Sequence, residues 1–145
     1  MNAHRVVDIL LEDEDMDAYF MAALTPKEAY DMSYSNPKLR PKLERVIATS
    51  AEFSYWYARH VLKRKPFPAG EPAIATSADY SYLYAQYVLK FKPFPAGEPA
   101  IATSAKWSYA YAFYVLQRRF PAGEPALATD AYMAYDYNQR FGTSI

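Results

Sequence analysis

The chain contains no cysteine. That excludes a disulfide framework, a thiolate metal site and a cysteine nucleophile. Histidine is nearly absent too: His4 and His60 are the only two. The four glycines, Gly70, Gly97, Gly123 and Gly142, stand apart from one another, so no Gly-rich loop is present to cradle a phosphate. Neither sign of charge is in excess. Sixteen basic side chains balance sixteen acidic ones, and a net charge of zero argues against a general polyanion binder, nucleic acid included. No apolar run reaches the roughly 18 residues a membrane span needs, and the N-terminus lacks the apolar core of a signal peptide. At 145 residues, one domain is expected.

What the chain does have is repetition and tyrosine. "FPAGEPAIATSA" occupies Phe67–Ala78 and recurs unchanged at Phe94–Ala105, and "FPAGEPALATDA" follows at Phe120–Ala131. Of 15 tyrosines, 12 lie beyond Ser50. Ile47, Ile74 and Ile101 are equivalent at a spacing of 27, and Leu127 follows at 26 because the last loop lacks a proline. "TPKEAYDMSY", from Thr25, echoes "SAEFSYWYAR" at an offset of 25. The organisation read from this is an N-terminal helix and acidic connector over 1–24, then a repeat domain over 25–145. The domain divides into a degenerate unit (25–45), repeats at 46–69, 70–96 and 97–122, and a truncated unit (123–145).

Within a unit the punctuation is helical. Pro72, Pro99 and Pro125 suit the first turn of a short helix, where a missing N–H costs nothing. Ser50, Ser77, Ser104 and Asp130 stand where an N-cap belongs, before a run of about 13 residues. Lys and Arg close each run, as a helix dipole favours. A stretch such as "YSYLYAQYV" also alternates like a strand. Comparison of the copies decides. Counting from the cap residue as zero, the variable positions are +2, +6, +9 and +13. On a strand these would split between two faces; on a helix they share one narrow stripe.

The remaining positions predict the packing. Tyr55, Tyr82 and Tyr109 occupy +5; Tyr57, Tyr84 and Tyr111 occupy +7; Ala58, Ala85 and Ala112 occupy +8. These nine residues are the expected contacts between repeats. Aromatic residues at +3 and at +10, where His60 replaces Tyr87 and Tyr114, are expected to widen the buried stripe. A helix buried over so much of its circumference has neighbours on two sides. The fold class expected is all-α: a small α-solenoid of helix-pair repeats of about 27 residues.

The pattern "PFPAGEPAIATSADYSYLYAQYVLK" resembles a Tyr/Ala-rich tandem helical repeat found in hypothetical proteins of tailed bacteriophages and large DNA viruses, and the leader "VVDILLEDEDMDAYF" resembles openings of phage-encoded proteins. The resemblance implies a viral setting, in infected-cell cytoplasm or virion, and a helical fold. It implies no activity.

Candidate chemistry is sparse. Asp13, Asp15 and Asp17 have the first spacing of a calcium loop, but Ala18 stands at its obligatory glycine and Leu24 at its closing glutamate. Glu71, Glu98 and Glu124 recur in every copy, which marks them as structural and paired with nearby Lys or Arg. No catalytic, cofactor-binding or metal-binding residue is expected. Trp56, Leu83 and Phe113 are large apolar residues on the variable stripe, and they are the expected interface. The function expected is non-enzymatic: contact with a protein partner or with other copies of the chain as a homo-oligomer, with no membrane role. The alternative is a viral anti-defence inhibitor that sequesters a nucleotide, a nucleic acid or a host defence protein.

Overall fold

The computed structural model describes residues 14–145. The helix "HRVVDILL" expected before them lies outside that range. Every regular element among the described residues is helical. They are α1 (Glu14–Ala23), α2 (Pro26–Ser35), α3 (Arg40–Ile47), α4 (Ala51–Trp56), α5 (Glu71–Ile74), α6 (Ala78–Tyr87), α7 (Glu98–Ile101), α8 (Ala105–Ala110), α9 (Glu124–Leu127) and α10 (Ala131–Phe141). Short and long helices alternate as pairs: α3 with α4, α5 with α6, α7 with α8, α9 with α10. The acidic run is helical from Glu14 rather than a connector.

The expected caps form. The hydroxyls of Ser50, Ser77 and Ser104 accept from the backbone N–H of Phe53, Tyr80 and Trp107. Asp130 accepts from the N–H groups of Tyr132 and Met133. Thr25 and Glu28 make a reciprocal capping box, which confirms a helix start in the degenerate unit. Each Phe-Pro-Ala-Gly adds a single 3₁₀ turn before the short helix.

The long helices are not regular to their ends. α4 continues as a π-helical stretch over Tyr57–Val61, and α8 over Tyr111–Leu116. In the middle copy the N–H of Leu89 likewise reaches the Tyr84 carbonyl, five residues back. The widening therefore begins at the +7 tyrosine in all three units. It shifts what lies downstream, and two of the three +10 residues leave the core: His60 is exposed and Tyr114 is 54% exposed, while Tyr87 stays half-buried against the core. The reading of +10 as part of the buried stripe holds at Tyr87 and is corrected at His60 and Tyr114. His60 stacks on Trp56, with ring centroids 5.2 Å apart. Partial desolvation, then Arg59 and Arg64, hold its pKa below the usual histidine value.

After the widened turn the chain reverses through left-handed residues that are not glycine. Lys63 and Arg64 (φ 54° and 63°) do this in the first loop, Lys90 and Phe91 (56° and 61°) in the second, and Gln117 alone (51°) in the third. The third loop is the one shorter by a proline. For an L-residue this conformation costs roughly 1–2 kcal/mol. Lys90→Gly is expected to stabilise the fold by about 0.5–1 kcal/mol, the strain relief being partly offset by glycine's unfolded-state entropy. A urea midpoint lower than wild type would contradict it.

The contacts run from each unit to the next. Each long helix touches the following long helix and the following short one: α4 with α6 and α5, α6 with α8 and α7, α8 with α10 and α9. At the other end, α1 packs on α3, with Phe20, Met21 and Leu24 against the core.

Candidate interaction surface

The repeated residues build three devices that hold one unit to itself and to the next. The first is a tyrosine clamp. The Tyr84 hydroxyl donates to Glu71 Oε1 at 2.8 Å and accepts from the Phe67 N–H at 2.9 Å. Tyr111 treats Glu98 and Phe94 the same way, at 2.9 and 2.9 Å, and Tyr137 treats Glu124 and Phe120 the same way, at 2.9 and 2.8 Å. One unit earlier, Tyr57 donates to Glu44 at 2.7 Å. The recurring glutamates are therefore structural, as expected, but their common partner is tyrosine rather than Lys or Arg. The local ion pair expected across the loop occurs at Arg119 and Glu124, 2.8 Å apart. Burial first, and the carboxylate next to each hydroxyl, hold the clamp tyrosines above the ordinary tyrosine pKa.

The second device is a serine and a glycine. Ser54, Ser81 and Ser108 are fully buried, and their hydroxyls donate to the Ile47, Ile74 and Ile101 carbonyls at 2.9–3.1 Å. Each lies directly against the glycine that opens the next short helix: Gly70, Gly97 and Gly123.

The third is an aromatic ladder between units, in which a +5 ring meets the +3 ring of the next long helix. Tyr55 meets Tyr80 at 5.6 Å between centroids, and Tyr82 stacks on Trp107 at 5.1 Å. Tyr30, in the degenerate unit, meets Phe53 at 5.6 Å. In the last pair Tyr109 instead donates to the Asp136 carboxylate, and this bond, then burial, push its pKa up to about 12.

Of the nine expected packing residues, Tyr55, Tyr57, Ala58, Tyr82, Tyr84, Ala85, Tyr111 and Ala112 are buried, and Tyr109 is half-buried. The expected interface residues Trp56, Leu83 and Phe113 are half-buried and packed against the core. Phe113 stacks on Tyr109 at 4.2 Å and meets Phe141 of the following helix at 5.3 Å. Position +9 thus faces the next unit, where Arg59 also lies over the Tyr87 ring at 4.3 Å.

An open face exists elsewhere. Positions −2, +1, +5 and +9 of interior units are covered by the unit that follows, and each is buried or half-buried there. In the last unit these positions are Ala128, Ala131, Tyr135 and Gln139, and all four are exposed. Tyr135 is 65% exposed where Tyr55 is fully buried, and Tyr132 beside it is 78% exposed. The position itself was legible: Tyr135 is the +5 residue counted from the Asp130 cap.

Among the described residues no cluster of His, Asp or Glu could hold a metal ion, and no helix is long and apolar enough to cross a membrane. No protein-family model, curated protein or solved structure matches the chain.

Proposed function

We propose that the chain is a non-enzymatic helical-repeat protein, its helix pairs stacked as a small α-solenoid, that acts through protein–protein contact in the viral setting its repeat pattern implies. The contact is self-association through the exposed face of α10. The uncovered stripe of Ala128, Ala131, Tyr135 and Gln139, joined by Tyr132, carries this reading. It is the unfilled half of a contact that every interior unit completes, and large exposed apolar groups mark interaction sites. The stripe bears no charge, so two copies meet it without like-charge repulsion. At the opposite end α1 already covers α3. One such face among the described residues favours a two-fold pair over an open filament.

Light scattering after size exclusion tests this. Wild type is expected at twice the 16.6 kDa chain mass. The Tyr132→Lys/Tyr135→Lys variant is expected at the monomer mass, with its helical circular dichroism retained because both side chains are exposed. A monomeric wild type, or a variant that remains dimeric, would sink the self-association reading.

A further inference from the structure

The neutral total charge hides a division along the chain. Residues 1–17 hold six acidic side chains and one basic, whereas residues 18–145 hold fifteen basic and ten acidic. The excess of positive charge is not spread evenly. Lys63, Arg64 and Lys65, then Lys90 and Lys92, then Arg118 and Arg119 occupy the three equivalent loops after α4, α6 and α8, and all seven are exposed. No acidic residue stands in 57–70, 80–97 or 107–123, which are the C-terminal parts of the long helices and the loops that follow them. Among the described residues, Arg119 alone of the seven has a carboxylate partner, Glu124. Consecutive long helices are in contact, and packed helices lie about 8–10 Å apart, so the three loops form a continuous basic edge about 20 Å long.

Two further observations set this edge apart from an ordinary set of helix-ending cations. Lys63, Arg64 and Lys90 hold left-handed conformations in which glycine would cost less, so cations are kept there against conformational preference. Aromatic rings are interleaved with the charge. Phe91, between Lys90 and Lys92, is 52% exposed, and Tyr114, just before the third loop, is 54% exposed. Phosphate-binding cations with exposed aromatic rings beside them are the components of a single-strand binding surface, in which charge follows the backbone and rings stack on bases.

We propose that this loop edge binds single-stranded nucleic acid, its cations neutralising about four phosphates and Phe91 stacking on a base. The neutral total that argues against nucleic acid is set by the acidic N-terminal segment, not by this surface.

The test is fluorescence anisotropy of a labelled oligothymidylate titrated with the full chain over a range of salt. Binding is expected to weaken with a log–log salt slope of about −3, for about four phosphates neutralised on a single strand. Lys90→Gln/Lys92→Gln should weaken binding and flatten that slope by about 1.4. The change is mild for the fold, because Gln117 already occupies the position equivalent to Lys90. Phe91→Ala should weaken binding about tenfold and leave the slope alone. Lys27→Gln/Lys38→Gln, in the first unit, removes the same charge elsewhere and should change neither. Three results would overturn the proposal: no binding at low salt, an equal response to the Lys27/Lys38 control, or equally tight binding of duplex DNA or heparin with Phe91→Ala silent.

Discussion

Gly97→Ala is expected to destabilise the fold by about 3 kcal/mol or more, at the upper end of what overpacking does. Its backbone (φ −89°) is open to any residue, so the requirement is for space alone. A Cβ on Gly97 would stand 2.5 Å from Ser81 Oγ and 2.6 Å from both Ser81 Cβ and Phe94 Cδ1. Neither neighbour can move away cheaply. The Ser81 hydroxyl is held by the Ile74 carbonyl at 2.9 Å, and the Phe94 backbone is held by the Tyr111 hydroxyl at 2.9 Å. Small domains are stable by only about 5–15 kcal/mol, so this loss is a large share of the total. The clash also predicts its own relief. Ser81→Gly alone should cost about 1–2 kcal/mol, through helix propensity and a lost hydrogen bond. Combined with Gly97→Ala it should cost clearly less than the two added together. Strictly additive urea stabilities for the pair would show that the close approach of the two units is not the cause.

The expectation of helices rests on comparing copies of the repeat, and the elements are helical, with variation at +2 falling on exposed helix surface at Glu52 and Lys106 and variation at +13 falling in the exposed loop at Lys63 and Lys90. Caps were legible for the same local reason: Ser50 or Thr25 bonds an N–H three residues away. The misplaced positions have one physical origin. A helical wheel assumes a constant angle of about 100° per residue, and each π-helical turn inserts one extra residue into that count. Past Tyr57 and Tyr111 the wheel is out of phase, which is why His60 and Tyr114 are exposed and Arg59 and Phe113 face the next unit. The clamp was not legible, because 13 residues and a change of helix separate Tyr84 from Glu71, a distance no periodicity encodes. The open face was only half legible. The last unit and its cap are plain in the sequence, but which stripe stands bare there depends on the +5 to +3 contact, and the structure supplies that. In the sequence the basic edge shows only as cations closing helices, since neither the left-handed residues nor the exposure of Phe91 is written in a local pattern.

Tyr84→Phe should lower stability by about 2–4 kcal/mol through the loss of a single oxygen, because that oxygen serves two partners and one of them is left buried and unsatisfied. The ring itself stays. It is fully buried and packs against Phe94 at 5.1 Å between centroids, and phenylalanine fills the same space. What is lost is the donor to Glu71 and the acceptor for the Phe67 N–H, and Phe67 is only 3% exposed. Glu71 is half-exposed and regains water, so the stranded N–H carries much of the penalty. Glu71→Gln keeps an acceptor at the same place and should cost less than Tyr84→Phe. The clamp also has a pH signature. Burial and the carboxylate hold Tyr84 neutral in the folded chain at pH values where an unfolded tyrosine ionises, near 10. Above that pH the unfolded state releases a proton that the folded state keeps, so stability present below pH 10 falls as pH rises. Tyr57, Tyr111 and Tyr137 are held up in the same direction, so the wild-type decline should be correspondingly steep. Tyr84→Phe removes one tyrosine from that balance, and its urea-derived stability should fall less steeply above pH 10 than that of wild type. A variant within about 0.5 kcal/mol of wild type at neutral pH, the range of an inconsequential surface change, would mean that the hydroxyl's two bonds contribute nothing to the fold.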